Sequence, residues 1–508
     1  MDKGGLNMMK SILNFTFLII SLFGITNIAN AQWIQTGQDI DGETADDCSG
    51  WSVSLSSDGS IVAIGAYLND GNGVDAGHIR VYEYQAGNWT QLGNDIDGEI
   101  ADDNSGWSVS LSSDGSIVAI GAHRNDGNGL FSGHVRIYEY QAGNWIQLGN
   151  DIDGEAAGDN LGWSVSLSSD GSIVAIGAYG NDGNGSNSGH VRVYEYQTGN
   201  WNQIGNDIDG EAIDDRSGCS VSLSSDGSIV AIGASHNDDN QPSSGHVRVY
   251  EYQAGNWVKL GNDIEGEATL NHSGYSVSLN SVGSIVAIGA IYNSDNGLYS
   301  GHVRVYEYSG SNWIQLGNDI DGEAAEDNSG NSVSLSSDGS IVAIGAHGNS
   351  DNGIRSGHVR VYNYSVGNWI QLSNDIDGES AENHSGRSVS LSSDGSIVAI
   401  GADGNSGNGA FSGHVRVYGN PSVGIIENIS NTEFELYPNP TTGKITIQAE
   451  NIIGIEVMDI TGKTIKNLTG FENLSGLSEI DLSKNPKGIY IIKVTTSKGV
   501  TVEKVILE

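Results

Sequence analysis

Cysteine, proline and basic residues are all scarce in this 508-residue chain, and each scarcity excludes something. The only two cysteines, Cys48 and Cys219, fall in the first and fourth copies of a repeat at non-equivalent positions. Repeats that far apart in a ring cannot bring two Cα atoms within about 7 Å, so no disulfide is expected and packing must supply the stability. With 5 prolines against 73 glycines, glycine is the main punctuation of the turns. There is one long apolar run, Ile12–Ile25, behind Lys3 and Lys10 and ahead of the small-residue site Ala29-Asn30-Ala31. That order is a signal peptide over 1–31, with the exported chain starting at Gln32. The run is short for a bilayer span, and the mature chain is expected to have no transmembrane span.

Positive charge is the scarcest feature. Residues 33–418 hold 12 Lys and Arg against 51 Asp and Glu, a net charge of −39, whereas residues 434–508 are nearly balanced, with eight Lys and nine acids. Such a field repels phosphates, so nucleic acid is excluded as a partner, and it attracts cations and basic surfaces. A solvated acidic exterior that keeps an exported protein soluble explains the same numbers. Phosphate loops leading into a helix, zinc-type Cys/His spacings and nucleophile–base pairs are missing too. No catalytic residue is expected.

What the chain has in abundance is itself. Trp33, Trp89, Trp145, Trp201, Trp257, Trp313 and Trp369 recur at a constant spacing of 56 residues, and such self-similarity fixes the architecture first. One module runs Trp89-Thr-Gln-Leu-Gly-Asn-Asp-Ile-Asp-Gly-Glu99, Ser105-Gly-Trp-Ser-Val-Ser-Leu111, Ser116-Ile-Val-Ala-Ile-Gly-Ala122 and Gly133-His-Val-Arg-Ile-Tyr-Glu-Tyr140. Val109 and Leu111 alternate with Ser108, Ser110 and Ser112, and Val135 and Ile137 with His134, Arg136 and Tyr138, which is the period of strands. Asp114-Gly115 reads as a two-residue hairpin turn, and Ala142-Gly-Asn144 as a second tight turn.

Seven four-stranded modules could close into a ring or stack openly. The first copy opens with the Trp33 strand alone, and the last stops at Tyr418 without one. Pairing the two removes the free edges. The expected fold is all-β: a closed seven-bladed β-propeller over 32–418, a linker over 419–433, and a small β-sandwich over 434–508 built on Ile445/Ile447, Ile455/Val457 and Ile489/Ile491.

Gly50-Trp-Ser-Val-Ser-Leu, Ile61-Val-Ala-Ile-Gly-Ala66 and Gly77-His-Ile-Arg-Val-Tyr82 resemble the FG-GAP repeat, the blade of integrin α-subunit propellers and of many bacterial exported proteins. Three features depart from it: Ser49 stands where the repeat has Phe, the Pro after Gly-Ala is replaced by Tyr67, His123, Tyr179, Ser235, Ile291, His347 or Asp403, and only Ser-Ser-Asp-Gly stands where integrin-type blades carry a calcium loop. The resemblance therefore does not carry that calcium site over. Tyr437-Pro438-Asn439-Pro440-Thr-Thr-Gly443, Asp459-Ile-Thr-Gly462-Lys463 and Lys487-Gly488-Ile-Tyr490 resemble the C-terminal sorting domain of the type IX secretion system. This resemblance implies the type IX machinery as a partner. It also implies delivery to the surface or exterior of a Gram-negative, Bacteroidetes-type cell.

Long acidic loops gather on one face of such a ring, and loops on a rigid scaffold carry function. There the motif Asp-x-Asp-Gly-Glu recurs as Asp39/Asp41/Glu43, Asp95/Asp97/Glu99, Asp151/Asp153/Glu155, Asp207/Asp209/Glu211, Asp263/Glu265/Glu267, Asp319/Asp321/Glu323 and Asp375/Asp377/Glu379. Each is a truncated calcium loop with about three ligands, or a turn made by Asp and Gly. Ca2+ is thus the one cofactor the sequence suggests. His78/Arg80 recurs in every copy through His414/Arg416, and sevenfold repetition reads as blade-to-blade bonding rather than catalysis.

Individuality lies elsewhere. The residue after the first-strand glycine is Trp51, Trp107, Trp163, Cys219, Tyr275, Asn331 or Arg387, and the loop between second and third strands carries Phe131, Tyr299, Arg355 and Phe411. Such aromatics can stack on sugars or anchor a protein, and equally can plug gaps between blades. The expected function is a secreted, non-enzymatic binding or adhesion module for a glycan or protein. A polysaccharide-degrading enzyme and a structural coat protein are the alternatives.

Overall fold

The structure, a computed structural model, describes residues 32–420, 435–437, 439–459, 464–496 and 499–507. The expected signal peptide and all but the first two residues of the expected linker lie outside them. Among the described residues no helix is long and apolar enough to cross a membrane.

Seven antiparallel sheets follow one pattern. In the second, the innermost strand is Ser108–Leu111, followed outward by Ile117–Ala122 and His134–Gln141. Ile117–Ala122 is a continuous apolar run because a neighbouring blade covers each face, and Val118 through Ala122 are buried. The outermost strand is split: Asn144–Gln147 pairs with one half of the third strand and Ile152–Asp153 with the other. Two of the five residues of the Asp-x-Asp-Gly-Glu motif are therefore strand, not interblade loop. The turn at Asp114 also departs from the two-residue expectation. It spans Ser112–Ser116, because the Ser113 amide is used elsewhere, donating to the Ser169 carbonyl of the next blade at 2.8 Å. Ala142-Gly143 is the tight turn the sequence suggests, with φ of 49° and 92°.

The N-terminal segment completes the last blade. Ile34 and Gln35 pair with Gly419 and Tyr418, and Ile40 and Asp41 with Val415 and His414. Two circles of hydrogen bonds then run round the axis without a gap. Ser52 Oγ donates to the Gly106 carbonyl of the next blade at 2.8 Å, and the series returns with Ser388 Oγ to Gly50. The amides of Ser57, Ser113 and their equivalents link blade to blade until Ser393 donates to Ser57. Ser108 and Ser110 of the alternating serines thus bond from blade to blade, while Ser112 bonds Asp114 and Ile117 of its own turn, which satisfies polar groups that burial would otherwise penalise.

The cores lie between blades. Val135 and Ile137 of one blade pack with Val165, Leu167, Val174 and Ile176 of the next, and Trp201 closes that seam from outside. Its indole N–H donates to the Leu148 carbonyl across the seam at 2.7 Å. Trp33 does the same to Leu372, so the seventh seam is closed like the others.

The C-terminal strands hydrogen-bond as one five-stranded sheet. Bulges between Ala449 and Gly454 bend its long strand Lys444–Asp459, and Ile445, Ile447, Ile455, Val457, Ile480 and Ile492 fill one core.

Candidate functional site

The two mouths of the ring differ in kind. One is lined by the seven equivalents of Leu55 and Ser57, with Asn280 beside them, a sevenfold surface round about 160 Å³. The other, on the side of the long loops, is where the modules stop being alike. All seven variant residues after the first-strand glycine converge there on one cavity of about 310 Å³: Trp51, Trp107, Trp163, Cys219, Tyr275, Asn331 and Arg387. They share it with Tyr179, Arg216, Ser235 and His236.

These side chains form an arc. Trp51, Trp107 and Trp163 sit in consecutive blades with ring centroids 4.6 Å apart at each step and tilted by 45°. Tyr179 continues the series at 4.4 Å from Trp163. A guanidinium stands at each end: Arg387 lies 3.6 Å from the Trp51 ring, and Arg216 lies 5.9 Å from that of Tyr179. Tyr67 and His123 back the indoles from the second strands. Packing and lining thus belong to the same residues, since each indole touches its neighbours and still borders the cavity. Across from the arc, the Asn331 amide donates to the Arg387 carbonyl at 2.8 Å, and the Cys219 thiol sits 3.4 Å from Ser235 Oγ. Burial, with Arg216 and His272 nearby, pushes His236 down to about 4, so its imidazole is neutral at physiological pH. Among the described residues no carboxylate borders the cavity.

Arg216, Ser235, His236 and Tyr179 are site residues that the variation after the glycine does not identify. A second signal singles out Arg216. The residue two before that glycine has φ near +55° in every copy; three copies fill it with Asn104, Asn160 and Asn328, which tolerate that conformation. His272 and His384 also tolerate it, whereas Cys48 and Arg216 stand there against local preference. Cys48 is free and buried, and burial raises its thiol to about 12, so it is inert.

The loop residues are more scattered. Arg355 borders a crevice of about 330 Å³ beside the mouth, with Trp51, Arg387, His384 and Asp403. Phe131, Tyr299 and Phe411 are exposed. Phe131 lies 5.7 Å from the Arg124 guanidinium, Tyr299 lies against Tyr292, and all three aromatics adopt positive φ.

The structure divides the Asp-x-Asp-Gly-Glu motifs between seams rather than folding each round one point. Glu43 approaches Arg80 of the following blade at 3.7 Å, and Asp95 approaches His78 of its own blade at 3.8 Å. The pattern repeats as Glu99–Arg136, Glu155–Arg192, Glu211–Arg248, Glu267–Arg304, Glu323–Arg360 and Glu379–Arg416. On the Asp side, Asp39, Asp151, Asp207, Asp319 and Asp375 each face a strand histidine, and Asp263 accepts from Lys259 at 2.7 Å. The middle residues Asp41, Asp97, Asp153, Asp209, Asp321 and Asp377 end the split strand, and burial raises each carboxyl. The residues that could share a cation are drawn from two successive motifs, as in Glu43, His78 and Asp95, whose ligand atoms lie within 4.8 Å of one another. An arginine already supplies positive charge at each such point. Six of the seven strand arginines also donate to a carbonyl of the preceding module, as Arg80 does to Asp41 at 2.7 Å.

The exception is Arg304, which turns to the carboxylate of Asp319 where Glu265 replaces aspartate. Burial, then Asp263, Asp239 and Glu211, push the Glu265 carboxyl up to about 7 from its ordinary 4.5. The folded protein therefore holds this proton more tightly than the unfolded chain. The stability it contributes is complete below pH 4.5 and is lost as pH rises through about 7. Glu265→Gln, which keeps the neutral form, should melt higher than the wild type at about pH 8 and equally at about pH 4.5. A lower melting temperature at the alkaline pH would show that the charged form is the native one.

In the C-terminal domain, Tyr490 is buried and donates its hydroxyl to the Pro486 carbonyl at 2.6 Å. Gly443 sits against Ser483, Gly488 has open space beside it, and a cis bond joins Asn439 to Pro440. Pro438 and Gly462 lie outside the described residues. Residues 435–508 match the secretion system C-terminal sorting domain, and residues 152–194 and 320–362 match the FG-GAP repeat. The chain carries FG-GAP repeats within its seven repeating four-strand sheets, an arrangement consistent with a propeller, and ends in a type IX sorting domain. The tail implies an interaction with the type IX machinery and secretion to the cell surface or extracellular space in Bacteroidetes. No curated relative matches this FG-GAP propeller. Among solved structures it is similar to a putative 6-phosphogluconolactonase from Bacteroides uniformis ATCC 8492, at 13% identity and a TM-score of 0.46 over 65% of this chain and 85% of that one. It is also similar to the periplasmic gluconolactonase PpgL of Pseudomonas aeruginosa, at 15% identity and 0.46 over 80% and 95%.

Proposed function

We propose that this secreted propeller is a non-catalytic binding protein that takes a glycan at its aromatic mouth. The supporting observation is the convergence of all seven variant residues on one cavity, in a ring whose other mouth repeats almost without change. Repetition suits a scaffold, and the exceptions to it mark where selection for a particular ligand acted. The cavity has the size and the aromatic lining with sparse polar groups of a small-ligand site. A row of indoles suits the apolar faces of sugar rings. Binding is favoured over hydrolysis because glycoside cleavage commonly needs two carboxyl groups at the substrate, and among the described residues this lining holds none.

A glycan array run beside a turnover assay on the same glycans tests the proposal. Binding without turnover is expected, and Trp107→Ala, at the middle of the arc, should weaken it by at least about 2 kcal/mol, as removal of a central anchor does. Turnover would refute the non-catalytic reading. A wild type that retains no glycan would favour the coat-protein alternative.

A further inference from the structure

We propose that the glycan taken at this mouth is acidic, bearing a carboxylate or sulfate that Arg216 and Arg387 grip from the two ends of the aromatic arc; this rests on the reading of the mouth as a glycan site. The starting point is the pairing of the twelve basic residues in the propeller. Seven arginines, Arg80 and its strand equivalents, each meet a glutamate of the preceding module, and Lys259 meets Asp263. Four remain: Arg124, Arg216, Arg355 and Arg387. Among the described residues none of these four has a carboxylate within 4.0 Å.

Every one of the four breaks the repeat, and three border the mouth or the crevice that opens beside it. A ring carrying 51 acids against twelve bases needs no further reason to keep paired cations, but unpaired ones gathered at one place do need a reason. Arg216 adds two costs. It holds a positive φ where three copies use asparagine, and its Nε, like those of the strand arginines Arg136, Arg192, Arg248 and Arg360, is sealed from solvent without a hydrogen-bond partner. A buried donor left unsatisfied is expensive, and an anionic acceptor would repay that cost. The guanidinium fork matches the planar oxygens of a carboxylate and those of a sulfate. Among the described residues no acid borders the cavity to oppose such a ligand. The acid nearest Arg387 in the side crevice, Asp403, faces His384 at 3.5 Å. Indoles for the ring faces and arginines for the charge describe a sugar acid or sugar sulfate better than a peptide, whose side chains offer few such faces.

The test is an array of neutral, uronate-bearing and sulfated oligosaccharides of matched backbones, with polyglutamate as a peptide probe, read with the wild type, Arg216→Gln and Arg387→Gln. Charged glycans should bind and their neutral counterparts should not. Each substitution should weaken binding by about 10- to 100-fold while a cooperative thermal unfolding transition is retained, since both side chains are only half-buried. The uronate and sulfate arms identify the anion. Equal retention of neutral glycans, or undiminished affinity in both variants, would overturn the charge assignment and leave the glycan reading standing. Polyglutamate held more tightly than any charged glycan would overturn it in favour of a peptide. No glycan bound by the wild type would remove both readings.

Discussion

Removing residues 32–43 should leave a protein that no longer unfolds in one cooperative step and that aggregates on concentration. The segment supplies the outermost strand of the seventh blade, the Trp33 indole that spans the last seam, and Ile40, which is 4% exposed. Burying a side chain such as isoleucine contributes about 1.5 to 3 kcal/mol, and a large aromatic can cost about 3 to 5 kcal/mol when truncated in a core. Set against a total of about 5 to 15 kcal/mol for a folded domain, the loss is a large part of it. The strand His414–Gly419 would also become a free edge open to other chains. Thermal unfolding by circular dichroism with size-exclusion chromatography checks this. A truncated chain that melts like the intact one would mean that the ring does not depend on its closure.

The second large effect is expected at Gly121, in the Ile-Gly-Ala run of the second strand. A Cβ there would lie 2.0 Å from the Gly162 carbonyl oxygen of the next blade and 2.4 Å from Ser108 Oγ. The backbone is not in the left-handed region, so the glycine is needed for approach rather than for conformation. Both obstacles belong to the circle of seam bonds, so neither can move without opening a blade junction. Gly121→Ala should cost at least about 3 kcal/mol, the upper end of overpacking, measured by denaturant unfolding. A loss below about 1 kcal/mol would show the seam to be looser than this geometry.

Most of the ring was legible because seven copies average away local ambiguity. The Trp33 strand and its missing partner after Tyr418 identified the closure directly. What lay hidden depended on the neighbouring blade. Nothing within one module says that Glu99 will meet Arg136, or that the Ser113 amide will bond to Ser169 and lengthen its turn. The split outermost strand was hidden for a related reason, because Ile152-Asp153 is too short to read as a strand without its partner Val135. At the mouth, Trp51 to Arg387 stood out as one variable column, but Arg216 sits in a different column and joins them only when the ring closes.

The ten tryptophans offer the most direct test. Seven indole N–H groups donate to seam carbonyls, whereas those of Trp51, Trp107 and Trp163 stand at the mouth. With indole nitrogens labelled with 15N, titration by the tightest-binding charged oligosaccharide should shift those three resonances and leave the seven seam resonances in place. Shifts confined to the seam tryptophans, with the mouth silent, would place the ligand elsewhere and contradict the aromatic mouth as the binding site.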